Sequence, residues 1–204
     1  MITIINYGVG NINAFVNIYK KYNIPVKIAS QISDLDLVDK LILPGVGSFD
    51  YAMQKLNDSG MRERLDELVL RDKKKVLGIC VGMQLMGLSS EEGCLNGLGW
   101  IDGVVKKMDV KNISHRSKLP HMGWNDIEPI IDHDLFKSFK NKEPFYFLHT
   151  YYFQVQKQEN CYATTEYGNN FTSVIGLENI FGIQCHPEKS HHAGEIFLKN
   201  FAEL

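Results

Sequence analysis

Several features that define other protein classes are missing from this sequence of 204 residues. Nowhere do 18 apolar residues follow one another, and the first residues lack the basic start and cleavage site of a secretory signal. Lysine and arginine (22) nearly balance aspartate and glutamate (24), so the net charge of -2 provides no electrostatic surface for nucleic acid or an anionic membrane. We therefore expect a cytoplasmic protein that binds neither.

The cysteines also lack the spacing of a structural framework. The four cysteines are Cys80, Cys94, Cys161 and Cys185. Because no C-x-x-C pair occurs, neither a zinc site nor a set of disulfides is indicated. The adjacent His191 and His192 follow Ser190 in a polar segment, which we interpret as a solvated loop rather than a metal site. We expect no bound metal and no cofactor.

Short apolar runs alternate with amphipathic segments in the first half of the chain. Strands are predicted at residues 2–6, 25–29, 40–43 and 75–79. Residues with helical spacing lie between them, including a pair of segments around a turn at residues 57–60. Strands that alternate with helices predict a parallel sheet layered with helices.

After Gly103 the pattern changes to aromatic and β-branched runs separated by polar turns. Further strands are predicted at residues 124–131, 145–155, 162–165, 171–178 and 180–184. Residues 197–204 are predicted to form a short closing helix. Because no linker separates the halves, we expect residues 1–204 to form one α/β domain, with a mostly parallel central sheet and antiparallel additions in the C-terminal half.

The most informative stretch is the Gly-x-Cys-x-Gly segment centred on Cys80. It joins an apolar strand to a helical pattern, which is the context of a nucleophile elbow with cysteine in place of serine. The glycines at its ends avoid collisions in so sharp a turn. A helix N-terminus favours thiolate over thiol. We predict Cys80 as a nucleophile; the alternative is a buried cysteine between packing glycines, and the other three cysteines are expected to be structural.

A cysteine nucleophile needs a histidine base, and His186 has the best setting among the seven histidines. It follows an apolar strand, and Glu188 can accept a hydrogen bond from one imidazole nitrogen while the other faces the sulfur. For His121 and His149, turn or strand contexts favour hydrogen bonds to the backbone instead. The histidines without supporting neighbours are His115 and His133.

These motifs together resemble a known family. The elbow at Cys80, with His-Pro-Glu-Lys at residues 186–189 about a hundred residues later, resembles the triad-type class I glutamine amidotransferases. Within that superfamily the chain is similar over essentially its whole length to the glutaminase subunits of imidazole glycerol phosphate synthases of histidine biosynthesis. The segments that carry this similarity are residues 6–11, 43–47, 119–125 and 146–151. The resemblance implies a three-layer fold and a glutaminase.

The resemblance also implies roles for matching positions. Cys80, His186 and Glu188 form the triad: the thiolate attacks the carboxamide of L-glutamine, His186 protonates the departing ammonia, and water releases glutamate. The implied oxyanion donors are the backbone N–H groups of Val81 and, after a peptide flip, Val46. The implied substrate-binding positions are Gly45, Gly47, Gln84, Glu92, Thr150 and Tyr151. The implied partner-interface positions are Trp124 and Lys189.

A partner protein is the last implication of the resemblance. We expect a heterodimer with a barrel-type cyclase that receives the ammonia directly and makes imidazole glycerol phosphate and the aminoimidazole carboxamide ribotide by-product. The glutaminase is expected to be nearly idle until that partner binds its substrate. Two alternatives use the same triad: an ammonia donor for surface-sugar amidation or vitamin B6 synthesis, and a cysteine hydrolase or peptidase that acts alone. A scaffold without activity is disfavoured by the complete triad.

Overall fold

The computed structural model describes residues 1–114 and 118–204, so the prediction for His115 lies outside the described residues. The first elements are β1 Ile2–Ile5, α1 Ile12–Lys21, β2 Val26–Ala29, β3 Lys40–Leu43, α2 Phe49–Asp58, α3 Arg62–Asp66, β4 Lys75–Ile79, α4 Val81–Leu85 and β5 Ser89–Ser90. The later elements are β6 Gly103–Lys107, β7 His121–Pro129, β8 Glu143–His149, β9 Tyr151–Val155, β10 Cys161–Tyr167, β11 Asn169–Leu177, β12 Ile180–Ile183 and α5 His191–Glu203.

The central sheet has nine strands in the order β2-β1-β3-β4-β12-β11-β10-β7-β8. The strands from β2 to β12 in this order pair in parallel. The pairs from β12 to β8 are antiparallel. The predicted class is thereby confirmed: an α/β fold whose antiparallel additions belong to the C-terminal half. A second sheet, in the order β5-β6-β9, was not predicted.

Burial explains why the two parts of the sheet differ in sequence. Every residue of β1 and β12 is buried, as expected for parallel strands that have both faces covered. Helices α1 and α5 contact each other, and so do α2 and α4. Strand β8 instead alternates, with Phe145, Phe147 and His149 buried and the residues between them more exposed. One apolar core includes residues from both parts of the sheet.

Two predicted elements need correction. The single strand expected at residues 145–155 is two strands, because the chain leaves β7 after His149 and pairs with β6 from Tyr151 onward. The apolar alternation continues through this break, so the pattern does not mark it. The last helix begins at His191 rather than at residue 197. His191 and His192 are therefore helical, and the ring of His191 stacks on Trp124.

Strand order determines which loops meet. Strands β3, β4 and β12 are neighbours and run parallel, so their carboxyl ends lie at one edge of the sheet. Pro44, Cys80 and Gln184 are the residues that directly follow these three strands. Ligand sites in such sheets form at this edge. Within the described residues, none of the helices has the length and apolar character needed to cross a membrane.

Candidate active site

Cys80 lies in the strand, turn and helix that the sequence predicts. Its backbone has φ 53° and ψ -111°, between β4 and α4. Positive φ is strained for any residue with a side chain and costs about 1–3 kcal/mol, which the surrounding packing must offset. A Cβ atom at Gly82 would lie 2.0 Å from the carbonyl oxygen of Leu43, and one at Gly78 would lie 2.7 Å from that of Gly82. Glycine is therefore required on both sides of this elbow.

His186 and Glu188 form a buried pair beside the sulfur. His186 Nδ1 donates to Glu188 Oε1 at 2.8 Å, with side chains 4% and 3% exposed. Burial alone lowers the pKa of His186, but hydrogen bonds to Cys80 and Glu188, with the charges of both groups, outweigh it and raise the pKa to about 10. An imidazolium at neutral pH stabilises a neighbouring thiolate.

The loop of residues 44–47 follows β3 and packs against the elbow at one end. A Cβ atom at Gly45 would lie 2.1 Å from the backbone nitrogen of Gly82, so only glycine permits this approach. The Tyr7 hydroxyl donates to the Pro44 carbonyl oxygen at 2.5 Å and holds the same end. Burial raises the pKa of Tyr7 well above its ordinary value, so the hydroxyl remains a donor.

The other end of this loop is open to the cleft. Val46 is 41% exposed. Gly47 has φ 90°, and a Cβ atom there would meet only Tyr51 Cδ1, at 3.8 Å. Val81 is the first residue of α4, so its N–H has no carbonyl partner within the helix. Val46 and Val81 line the same cleft as Cys80. Their role as oxyanion donors remains a prediction.

The cleft has a volume of about 300 Å³ and brings most of the predicted site together. Ten of the thirteen predicted residues line it, all except Gly45, Glu188 and Trp124. Gly45 packs behind the cleft on the elbow, and Glu188 binds His186 from behind. Trp124 lies on a separate, larger groove that does not include Cys80.

The predicted glutamine-binding side chains are held by backbone groups. Gln84 Nε2 donates to the Tyr151 carbonyl oxygen at 3.0 Å. Glu92 Oε2 accepts from the backbone N–H of Phe49 at 2.8 Å, at the start of α2. A helix N-terminus stabilises this carboxylate. A fixed carboxylate at the cleft provides an acceptor for the α-ammonium group of an amino acid.

The two predicted partner-interface residues both lie beside the ring of Tyr146. Trp124 is 50% exposed, and its ring centroid lies 6.1 Å from that of Tyr146. Lys189 Nζ lies 5.7 Å from the centroid of the same ring. The β7–β8 register places Trp124 opposite Tyr146. Residues far apart in sequence therefore meet around Tyr146, and Lys189 is the one of the two that also lines the cleft.

Two polar residues near the sulfur had no role in the sequence-based prediction of the site. Gln184 is fully buried, and its Nε2 lies 3.7 Å from Cys80 Sγ. His149 lines the cleft and donates from Nδ1 to the Tyr151 carbonyl oxygen at 2.9 Å, the backbone hydrogen bond expected for this histidine. Gln184 was detectable as the polar residue that directly follows a strand neighbouring the elbow strand.

None of the three remaining cysteines lines the cleft, although Cys185 directly precedes His186. Cys161 and Cys185 are buried, and burial raises the pKa of each thiol. Cys94 is exposed. In the part of the chain that the structure describes, no group of His, Cys, Asp and Glu side chains is placed to hold a metal ion.

Comparisons with known proteins agree with this geometry. A family model described as glutamine amidotransferase class-I matches residues 3–203. The imidazole glycerol phosphate synthase subunit HisH of Bdellovibrio bacteriovorus is 48% identical over 206 residues, with 100% of both chains covered. That of Leptospira interrogans is 46% identical over 204 residues, again with 100% of both covered.

Solved structures of low sequence identity share the fold. One described as a glutamine amidotransferase has a TM-score of 0.73 at 16% identity, covering 100% of this chain and 99% of its own. A glutamine amidotransferase from Thermotoga maritima has a TM-score of 0.63, also at 16% identity, with 99% of this chain and 82% of its own covered. The chain therefore belongs to the class I glutamine amidotransferases, and within them to the family of imidazole glycerol phosphate synthase subunit HisH.

Proposed function

We propose that this chain is the glutaminase subunit of an imidazole glycerol phosphate synthase in histidine biosynthesis, with Cys80, His186 and Glu188 as its catalytic triad. The observation that carries the assignment of residues is the buried His186–Glu188 pair beside a strained Cys80. Membership of the family carries the assignment of the reaction, which is the release of ammonia from glutamine.

The proposed reaction uses each group of the triad in turn. The Cys80 thiolate attacks the carboxamide carbon, and the N–H groups of Val46 and Val81 bind the developing oxyanion. His186 gives its proton to the departing nitrogen, so ammonia leaves and a thioester remains. Water then attacks the thioester and gives a proton to His186. Glutamate leaves, and the thiolate and imidazolium are restored.

Substrate recognition is proposed to use the held side chains around the sulfur. The Glu92 carboxylate would accept hydrogen bonds from the α-ammonium group of glutamine, whereas Gln84, Thr150 and Tyr151 would contact its other polar atoms. The Gly47 backbone forms part of the cleft wall beside Val46, whereas Gly45 supports this wall from behind by packing on the elbow. Support comes from the common cleft, which includes all of these residues except Gly45.

The relatives are named as subunits of imidazole glycerol phosphate synthase, which supports a partner subunit for this chain. We propose that the partner is a barrel-type cyclase and that the two form a heterodimer. Exposed apolar side chains near the cleft support a docking surface there: Val46, Met122, Trp124 and Leu148. Val46 and Leu148 also line the cleft, so ammonia would be released beneath the partner.

Direct transfer of ammonia has a chemical reason. In water near neutral pH ammonia is mostly ammonium, which is not a nucleophile, whereas a covered exit keeps it unprotonated. We place this activity in the cytoplasm, where a free thiol such as Cys80 stays reduced.

Glutamate release, measured with and without a cyclase and its ligand, tests the proposal. We expect slow release by the chain alone and strong activation by the liganded cyclase. Full activity without any partner would indicate a cysteine hydrolase instead. Activation only by a sugar-amidating synthase would move the chain to the surface-sugar pathway.

A further inference from the structure

A buried amide lies against the proposed nucleophile. The backbone N–H of Cys80 donates to the Ile183 carbonyl oxygen at 2.8 Å, because β4 and β12 pair in parallel up to this point. The next residue, Gln184, is therefore placed beside Cys80, with Nε2 3.7 Å from Sγ. Its side chain is fully buried, so water does not compete for this amide.

The direction of the Gln184 amide follows from the groups that surround it. A backbone carbonyl only accepts hydrogen bonds, so the group of Gln84 that contacts the Tyr151 carbonyl oxygen must be its NH₂. The second hydrogen of this NH₂ points to Gln184, at 3.1 Å. The Gln184 atom that receives it must be the carbonyl oxygen. Its NH₂ is then the group that faces the sulfur.

A second set of hydrogen bonds holds the same Tyr151 carbonyl. His149 Nδ1 lies 2.9 Å from this oxygen, so Nδ1 carries a proton. Burial, and then the neighbouring His121, lower the pKa of His149 to about 3, although the bond to Tyr151 opposes this. The ring is therefore neutral at physiological pH, and its Nε2 accepts from His121 Nδ1 at 3.0 Å.

This set of hydrogen bonds ends at the backbone of β10. Asn125 Nδ2 lies 3.2 Å from His121 Nε2 and donates its other hydrogen to the Glu166 carbonyl oxygen at 2.8 Å. His121 also stacks between the rings of Phe147 and Tyr167. Each bond from Asn125 to Cys80 therefore has one consistent donor and acceptor. This arrangement fixes the Tyr151 carbonyl by packing as well as by hydrogen bonds.

We propose that Gln184 is a positioning residue that donates a hydrogen bond to the Cys80 sulfur, and that the His149–Tyr151–Gln84 network fixes the direction of this amide. An N–H directed at sulfur stabilises the thiolate over the thiol. It also restricts the sulfur to one side of the cleft. The inference rests on the proposed function, because a hydrogen bond to this sulfur matters for catalysis only if Cys80 is the nucleophile.

The test measures the sulfur itself rather than turnover. In a Cys94→Ser background, which removes the exposed thiol, the rate of Cys80 alkylation by iodoacetamide is followed against pH. Gln184→Met keeps the approximate shape of the side chain but removes the donor. We expect the midpoint of the alkylation profile to rise by about one pH unit, which makes alkylation below the midpoint about tenfold slower.

A matched control variant separates the effect of losing the hydrogen-bond donor from the effect of lower stability. Asn200 is also a buried amide, and its NH₂ donates to the carbonyl oxygens of Leu135 and Lys137, in the contact between α5 and the segment before β8. Asn200→Leu should lower stability without moving the alkylation profile. An unchanged profile in a folded Gln184→Met variant overturns the proposal.

A second pair of variants decides the matter if Gln184→Met does not fold. His149→Leu removes the donor to the Tyr151 carbonyl and should raise the midpoint by a smaller amount, about 0.5 pH unit. His149→Asn retains an N–H near the position of Nδ1 and should restore the original midpoint. Equal profiles for both variants contradict the proposed network.

These results are distinct from a failure of the proposed function. If Cys80 is not the nucleophile, Cys80→Ala retains glutaminase activity, whatever the alkylation profiles show. If Cys80→Ala is inactive but the Gln184 and His149 variants titrate like the parent, only the positioning role is lost.

Discussion

Two backbone segments line the cleft, the elbow and the loop of residues 44–47, and they differ in how firmly they are held. The elbow is buried, with Cys80 and Val81 only 4% and 5% exposed. The loop of residues 44–47 is anchored at Gly45, where a Cβ atom would meet Gly82 at 2.1 Å, but is open at Val46, which is 41% exposed. Packing therefore fixes the position of the sulfur, whereas it leaves the Val46 end of the proposed oxyanion site less constrained.

The largest predicted effect tests whether the elbow, the more firmly held of the two segments, provides the nucleophile. Cys80→Ala removes the proposed nucleophile and should lower partner-activated glutaminase turnover by roughly 10⁴-fold or more. Stability should fall only modestly, because the buried change is small, although the hydrogen bond that helps to raise the pKa of His186 is lost. Glutamate release and thermal unfolding are the measurements. The exposed thiol of Cys94 gives the control, since Cys94→Ser should retain activity.

The next prediction compares glycines from the two segments. Gly82→Ala places a Cβ atom 2.0 Å from the Leu43 carbonyl oxygen, and we expect a loss of about 3 kcal/mol or more in unfolding free energy. In Gly47→Ala the new Cβ atom has no close neighbour. The only cost is the positive φ of 90°, which should lower the unfolding free energy by about 1–2 kcal/mol. Denaturant titration measures both. Similar losses would show that the two segments are equally constrained.

Local motifs explain which parts of this site were predictable from sequence. The elbow around Cys80 and the pair of His186 and Glu188 each lie within a few consecutive residues. A local sequence motif is therefore enough to predict their geometry. The role of Gln184 depends on the register between β4 and β12, which no local pattern reports. That of His149 depends on its tautomer, which the Tyr151 carbonyl oxygen sets, and on a contact with His121 that the pairing of β7 with β8 creates.

The same reasoning applies to the fold. Strands β1, β3 and β4 were predicted nearly to the residue because turns or polar residues border each apolar run. The break at Thr150 was missed because side chains on both sides of it continue to alternate. Its cause is a change of pairing partner, from β7 to β6. The start of α5 was missed because its first turn contains two histidines and Gly194 instead of an apolar face.

A pH-dependent prediction concerns the charge that stabilises the elbow. The pKa of His186 is about 10 in the folded chain, above the ordinary histidine value of about 6.5. The stabilisation from this raised pKa is complete below pH 6.5 and is lost as pH rises toward 10. Glu188→Gln removes one cause of the raised pKa. The difference in unfolding free energy between the parent and this variant should therefore be largest near pH 6 and decrease toward pH 10.

Urea titrations at several pH values measure this difference. His133 gives a control, because burial lowers the pKa of its ring and it lies away from the pair. His133→Gln should not reproduce the decrease. A difference that grows from pH 6 to pH 10 would contradict a charged His186 paired with Glu188.

The smallest predicted effect compares the two valines whose N–H groups are proposed to bind the oxyanion. Val81 is 5% exposed and Val46 is 41% exposed. Val81→Ala should cost about 1–2 kcal/mol of unfolding free energy through lost burial, and Val46→Ala should change it by no more than about 0.5 kcal/mol. Both variants retain the backbone N–H, so neither removes a proposed donor.

Partner-activated turnover of the same two variants then shows whether each valine side chain acts through packing or through restraint of its own peptide group. If the Val46 peptide is held only weakly, the smaller side chain at this position should alter the activation by the cyclase more than it alters stability. Val81→Ala should do the reverse, because the helix start holds its N–H whatever the side chain. Stability and partner-activated turnover, measured for both variants, decide this. If the ratio of lost turnover to lost stability were the same for both variants, the difference in side-chain burial would not distinguish a fixed Val81 N–H from an adjustable Val46 N–H.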